Sequence, residues 1–190
     1  MFQEHAPRFG HIEVIAGSMF SGKTEELIRR LKRAQIAQLK VLIVKPITDN
    51  RYADNEVVTH DQARMNALPV ASAREIIALA SDSDVVGIDE AQFFDMDIVA
   101  VANELANAGK RVVLAGLDMD YHGEPFGPMP NLMAVAEFVT KVHAVCVRSG
   151  EMANYSHRLT ADPNRVMLGD RRTYEPLSRA EFVRERRSTK

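Results

Sequence analysis

The chain has 190 residues, 46% of them hydrophobic and 26% charged, which suits one large domain or one domain with a small appendage. Its 24 basic and 26 acidic residues leave a formal charge of −2, so no global basic field draws it to nucleic acid or a membrane surface. Its apolar runs are far shorter than a membrane span, its first ten residues hold no secretory core, and its single cysteine, Cys146, excludes an intrachain disulfide. A cytoplasmic location in a reducing compartment is the simplest expectation.

In chain order, an apolar run at residues 12–16 precedes Gly17-Ser18-Met19-Phe20-Ser21-Gly22-Lys23-Thr24, which fits the phosphate-loop pattern G-x-x-x-x-G-K-[ST]. A helix pattern follows from Glu25, with Leu27, Leu31 and Ala34 on one face. Strand, turn and helix start aim several backbone N–H groups and the positive end of the helix dipole at one point. Lys23 is expected to neutralise the β- and γ-phosphates of a nucleoside triphosphate, and the Thr24 hydroxyl to hold Mg²⁺. Glu25–Arg29 and Glu26–Arg30 are expected as solvated pairs along the helix.

Residues 41–44 read as a buried strand stopped by Pro46, and residues 48–66 as a polar excursion near the site. Ser72-Ala73-Arg74-Glu75 is a capping box that opens a helix running to Ala80. The next strand is Val85–Ile88, followed by a helix over residues 95–108 with Ile98, Ala102 and Leu105 on one face and Gly109 at its stop. Residues 111–116 form another strand. Strands alternating with helices imply an α/β fold with a parallel sheet and right-handed crossovers. Beyond it come an irregular Gly/Pro stretch at 121–130, one or two helical turns at 132–137 and an alternating strand at 139–147. The end is polar, with five basic and two acidic residues from Arg179 to Lys190. The expected organisation is a nucleotide-binding domain over residues 1–140 and a small lobe over residues 141–190.

Asp89-Glu90 follows the strand Val85–Ile88 directly. An acid at the carboxyl end of a parallel strand beside a phosphate loop is the second nucleotide motif: Asp89 for Mg²⁺, and Glu90 near the γ-phosphate, where a carboxylate can take a proton from an attacking hydroxyl. Asp89-Glu90-Ala91-Gln92 also fits the D-E-x-Q box of helicases, so this motif alone does not choose the reaction.

Four segments in order do. The loop Gly17–Thr24, then Lys45-Pro46-x-x-Asp49-x-Arg51-Tyr52, Gly87-Ile88-Asp89-Glu90-Ala91-Gln92-Phe93-Phe94 and Pro125-Phe126-Gly127 together resemble thymidine kinases of the cellular, RecA-like type, from about residue 10 to residue 182. The resemblance implies a P-loop sheet with a small C-terminal lasso lobe, and ATP- and Mg²⁺-dependent phosphorylation of the thymidine 5′-hydroxyl to thymidine monophosphate in nucleoside salvage. Deoxyuridine stands as the second candidate substrate. It makes Glu90 the catalytic base, with Lys23, and Gly17, Ser18, Met19, Phe20, Ser21, Gly22, Thr24, Asp89 and Gln92 about the nucleotide. It assigns Met19, Phe93, Leu117, Tyr121 and Phe126 to the thymidine pocket, Tyr174 to a nucleoside contact, and Asp49 and Arg51 to the nucleotides' surroundings. Aromatic and apolar walls suit a planar, methylated pyrimidine. Phe94 is expected in the core. A homotetramer and feedback inhibition by thymidine triphosphate are also implied.

The chain departs from that family in its lobe. Many members hold it with zinc on two C-x-x-C pairs, where this chain has Cys146-Val147-Arg148-Ser149 and Ser178-Arg179-Ala180-Glu181. One thiol of four cannot close a tetrahedral site, and His143 or His157 with Cys146 and Glu181 have no diagnostic spacing. No structural zinc is expected. Cys146 becomes a small buried residue, and an Arg148–Glu181 pair is a candidate replacement contact. Two other readings share the nucleotide motifs: a helicase-like motor, which needs two such domains and basic strand-binding grooves, and a non-catalytic ATP-binding module. A GTPase is disfavoured by the lack of an N-K-x-D motif.

Overall fold

The computed structural model describes residues 10–47, 56–58, 64–159 and 173–188. The first strand, β1 (His11–Gly17), feeds the phosphate loop and then helix α1 (Lys23–Ile36). There follow β2 (Val41–Pro46), the short strands β3 (Glu56–Val58), β4 (Arg64–Asn66) and β5 (Leu68–Val70), and helix α2 (Glu75–Leu79). Strand β6 (Val85–Ile88), helix α3 (Asp97–Asn107), strand β7 (Arg111–Leu117), helix α4 (Met129–Val135) and strand β8 (Phe138–Val142) complete the main body. Six strands form one sheet in the order β5-β2-β6-β7-β1-β8, and every neighbouring pair is parallel. Burial on both faces explains why β1, β6 and β7 are nearly continuous runs of apolar residues.

Two apolar layers result. Ile12, Val14, Val86, Ile88 and Leu114 face α3 and α4 on one side, where Phe94, Ile98, Val101, Leu105 and Leu132 join them. Ile15, Ile43, Val113 and Ala115 face α1 on the other, against Leu27, Ile28, Leu31 and Ala34. The faces read from the helical period are the buried ones, and Phe94 lies in the core.

Several local expectations change. Helix α1 starts at Lys23 rather than Glu25, because Gly22 takes a left-handed turn (φ 85°) and its carbonyl already accepts the Glu26 N–H at 3.0 Å. Glu26 binds both Arg29 and Arg30, so the Glu25–Arg29 pair does not form. Arg30 is not merely solvated: it also donates to Glu13 (2.7 Å) and Thr140 (2.9 Å), joining α1 to β1 and β8. The polar excursion contains the antiparallel pair β3–β4, and just beyond it β5 adds an edge strand that the reading of the excursion did not include. Ser72 Oγ donates to the Glu75 carboxylate (3.1 Å), but α2 has Arg74 at its N-cap and no side-chain cap bond. Helix α4 begins at Met129, three residues before the expected start.

The alternating run expected as one strand at 139–147 divides. Its first part is β8, which runs across the expected boundary at 140/141 and belongs to the main sheet; its second is β9 (Ala144–Val145). Among the described residues, the strands after β8 pair only with one another: β9 with β10 (Met152–Ala153), and β11 (Tyr155–Arg158) with β12 (Tyr174–Leu177). Helix α5 (Arg179–Ser188) packs on them. Ala144, Cys146, Ala153, Tyr155, Leu177 and Phe182 form this lobe's own core.

Hydrogen bonds from Arg29, opposed by slight desolvation and assisted by Arg30, hold the Glu26 carboxyl down at about 2, against an ordinary 4.5. A depressed folded-state value means the stabilisation is complete above pH 4.5 and disappears as pH falls through about 2. Glu26→Gln should therefore lower the melting temperature near neutral pH, and the gap from the parent should close between pH 4.5 and 2. A gap unchanged over that range would remove the ionised carboxylate from the account.

Candidate active site

The site is built where the carboxyl ends of β1, β7 and β6 meet. Gly17 pairs in register with Leu117, whereas β6 ends with Ile88 opposite Leu114, three residues short of Leu117. That stagger leaves room beneath the loop for Asp89, Glu90 and the 3-10 turn Ala91–Phe93.

In the loop, the Ser18 carbonyl accepts from both Ser21 Oγ (2.7 Å) and Lys23 Nζ (2.7 Å). Lys23 thus rests on the loop's own backbone. Burial pushes its ammonium below its ordinary value, and the charges of Glu90, Asp89 and Asp118 oppose that. Thr24 Oγ1 donates to Asp89 Oδ2 at 3.4 Å. Asp89 is buried, and burial together with the neighbouring Glu90 charge pushes its carboxyl up to about 7. An oxygen pair of this kind, in a pocket that disfavours a bare carboxylate, suits a hard divalent cation.

Glu90 is exposed and takes a left-handed backbone conformation (φ 53°), uncommon for a residue with a side chain. It is held from the side by Gln92, whose Nε2 donates to Glu90 Oε2 at 2.5 Å while its Oε1 accepts the Leu117 N–H at 3.0 Å. The Leu117 N–H can only donate, which fixes the amide's orientation and turns its NH₂ towards Glu90. Gly116 and Gly127 make space for this: a Cβ on Gly116 would lie 2.8 Å from Gln92 Oε1, and one on Gly127 2.5 Å from the Gln92 carbonyl.

The expected pocket residues fall into two groups. Phe93 and Phe126 meet edge to face with centroids 5.7 Å apart, beside the end of β7, because the Phe126 N–H returns to the Asp118 carbonyl. Tyr121 lies at the far end of that same loop, with the Arg158 guanidinium 3.8 Å above its ring. Arg158 also donates to the Tyr174 hydroxyl at 2.7 and 3.1 Å. Met19 is half-buried in the phosphate loop. Asp49 and Arg51 lie outside the described residues.

Sequence reasoning gave no role to Asp118 or Lys141, and it marked Ser156 and Arg158 only as part of Tyr155-Ser156-His157-Arg158, a segment similar to the one that enters the substrate-covering lasso loop in the family the chain resembles. Asp118 is buried, Lys141 Nζ is 2.7 Å from its Oδ2, and its Oδ1 has no hydrogen-bond partner among the described residues. The signal was available: like Asp89, Asp118 is an acid just past the end of a parallel strand. Within that segment only the alternation of Ser156 and Arg158 on β11 hints at their separate roles, and nothing local singles out Lys141.

A parallel sheet whose phosphate loop faces an acid from a nearby strand end defines the P-loop nucleotide-binding class. The flagellar accessory protein FlaH from Methanocaldococcus jannaschii shares this fold, with a TM-score of 0.52 at 12% identity over 80% of this chain and 78% of that one. The family model described as thymidine kinase matches residues 10–182. Among curated proteins, the thymidine kinase of Rhodothermus sp. (strain ITI 518) is 57% identical over 94% of this chain and 84% of its own. That of Bacteroides fragilis (strain YCH46) is 54% identical over 93% and 89%, and one from Porphyromonas gingivalis (strain ATCC 33277) 57% over 90% and 84%. The chain belongs to the thymidine kinase family.

Gln92→Ala frees the Glu90 carboxylate and strands the Leu117 N–H. With Glu90 in the catalytic role that the family resemblance implies, turnover should fall by about 10- to 100-fold, the usual scale for misplacing a reacting group, with KM for thymidine within about threefold of the parent. Unchanged single-turnover rates would show that Glu90 needs no such support.

Proposed function

We propose that this enzyme transfers the γ-phosphoryl group of ATP to the 5′-hydroxyl of thymidine. Family membership supports the activity, and one geometric observation carries the mechanism: Thr24 and Asp89 converge to 3.4 Å beside Lys23, with Glu90 fixed next to them by Gln92. The loop amides and Lys23 bind the phosphates, Lys23 exchanging its bond to the Ser18 carbonyl for phosphate oxygens. Thr24 and Asp89 would hold Mg²⁺, which supplies neutralisation of the phosphate charge. Glu90 accepts the proton of the 5′-hydroxyl while O5′ bonds to the γ-phosphorus and the bond to the β-phosphate oxygen breaks. Phe93 and Phe126, with Leu117 and Met19, supply apolar walls for the pyrimidine, and Tyr121 and Tyr174 close the other side through Arg158. Most of the acceleration comes from positioning and charge neutralisation.

A coupled ADP-release assay across the four deoxynucleosides, with deoxyuridine added, tests the substrate. Thymidine should be the preferred acceptor, and a rate that answers to DNA rather than to any nucleoside would indicate a motor. In the same assay Glu90→Gln should lose about two to four orders of magnitude in the chemical step while both ligands still bind.

We further propose that the lobe holds together without zinc. The residues at the four family positions are engaged elsewhere: Glu181 accepts from Arg184 (2.6 Å) and Ser178 Oγ accepts the Glu181 N–H (3.4 Å). Burial alone would raise the Cys146 thiol, but hydrogen bonds from Ser149 and from the backbone at Ser178, Arg148 and Ser149 outweigh it and bring the thiol down to about 7. His143 is bonded to Asn154. Among the described residues no three His, Cys, Asp or Glu side chains are grouped to hold a metal. Elemental analysis should find well under one zinc per chain, and EDTA should leave the circular dichroism unchanged. One zinc per chain with unfolding on chelation would overturn this.

Two expectations rest on family resemblance and composition: a homotetramer, which light scattering would test, and a cytoplasmic location. Among the described residues no helix is long and apolar enough to cross a membrane.

A further inference from the structure

Three consecutive residues of the phosphate loop are fastened to the lobe rather than to the sheet. Ser18 Oγ donates to the Ala153 carbonyl at 3.4 Å. The Met19 N–H donates to Ser156 Oγ at 2.9 Å, and Ser156 is 5% exposed. Phe20 packs against the lobe's apolar core. Phe20 does so from a left-handed backbone conformation (φ 62°), which a bulky side chain holds only when its surroundings impose it. The two hydrogen-bonding anchors, Ala153 and Ser156, lie on β10 and β11, and β11 also carries Arg158, which covers Tyr121.

A phosphate loop is useful because its amides point into one small space. Here the Met19 amide has another duty, since it takes its acceptor from a different part of the fold. The shape of residues 18–20 therefore depends on where β11 stands, and β11 stands where Arg158, Tyr121 and Tyr174 let it.

We infer that Ser156 is a positioning residue for phosphoryl transfer: through its bond to the Met19 amide, closure of the lobe over the nucleoside sets the phosphate-binding shape of the loop. The inference deepens the proposed function and rests on it for the identity of the nucleoside. Its energetic content is a coupling between two sites. Thymidine must tighten the binding of the triphosphate, and the triphosphate must tighten thymidine by the same factor.

The test is calorimetric titration of the full-length protein with Mg²⁺ and a non-hydrolysable ATP analogue, with and without saturating thymidine. In Ser156→Ala the half-buried Met19 amide loses its acceptor, so analogue affinity should fall about tenfold and the thymidine effect should shrink towards one. Ser156→Thr keeps the hydroxyl and should restore both. A purely structural role would lower the melting temperature of Ser156→Ala but leave the coupling factor as in the parent, and that result would overturn the inference. If Ser156→Ala does not fold, exchange of the Met19 amide in the parent decides: thymidine should slow it about tenfold or more, and equal rates with and without thymidine reject the inference. A parent that binds the analogue but ignores thymidine removes the proposed substrate instead, while the effect of Ser156→Ala on analogue affinity alone still judges the clasp.

Discussion

The site depends first on a register. With Gly17 opposite Leu117 and β6 stopping three residues short, the chain can bring an ammonium and three carboxylates to one place without threading any of them through the sheet. Asp89 and Glu90 leave β6 below the loop, Asp118 leaves β7 beside it, and Lys23 opens α1 above. Like charges this close are unfavourable, and burial makes them more so, as the upward shift of Asp89 records. Such a cluster is tolerable when its working state contains cations. Lys141 pairs with Asp118 within the protein, and Thr24 with Asp89 offers a place for one from solution.

Much of this was legible, and the reason is physical. Phosphate binding by backbone amides requires glycine where φ is positive and a lysine at the helix start, so the loop has a local pattern. Strands buried on both faces are apolar without interruption, so β1, β6 and β7 stand out. What stayed hidden was whatever depends on contacts distant in sequence. Ser156 binds a residue 137 positions away and Lys141 one 23 away, and neither residue type is unusual where it stands. The misread strand at 139–147 has the same origin. Its alternation is real on both sides of His143, but the first half pairs with β1 and the second with β10, a choice made by the fold and invisible to periodicity.

The described part of the lobe is held by ion pairs and by an apolar core of its own. The expected Arg148–Glu181 pair is not the contact that forms: Arg148 reaches Glu175 on β12 and Glu185 on α5, while Glu181 binds Arg184 on its own helix. Arg148 thus ties the Cys146 turn to a strand and to a helix. That turn is intact, since Cys146 exchanges backbone bonds with Glu151 (2.7 Å) and Gly150 (2.9 Å). Partly exposed ion pairs of this kind stabilise little, far less than a structural zinc. Most of the lobe's cohesion must come from the stacked Tyr155 and Phe182 rings (4.3 Å) and the buried residues about them.

A lobe held that weakly bears on the site, because the site borrows rigidity from it. Two of the three non-glycine residues with positive φ among those described, Phe20 and Glu90, border the phosphate-binding space. Each such conformation costs on the order of 1–3 kcal/mol and must be imposed by neighbours. Glu90 is imposed on from inside the sheet, through Gln92 and the end of β7, which any folded molecule provides. Phe20 is imposed on by the lobe. Glu90, the proposed base, is therefore set by the rigid part of the protein, and the phosphate loop by the part least able to hold itself. Under the proposed mechanism, a nucleoside that steadies the lobe also steadies the loop, whereas the Glu90 carboxylate is already held in place.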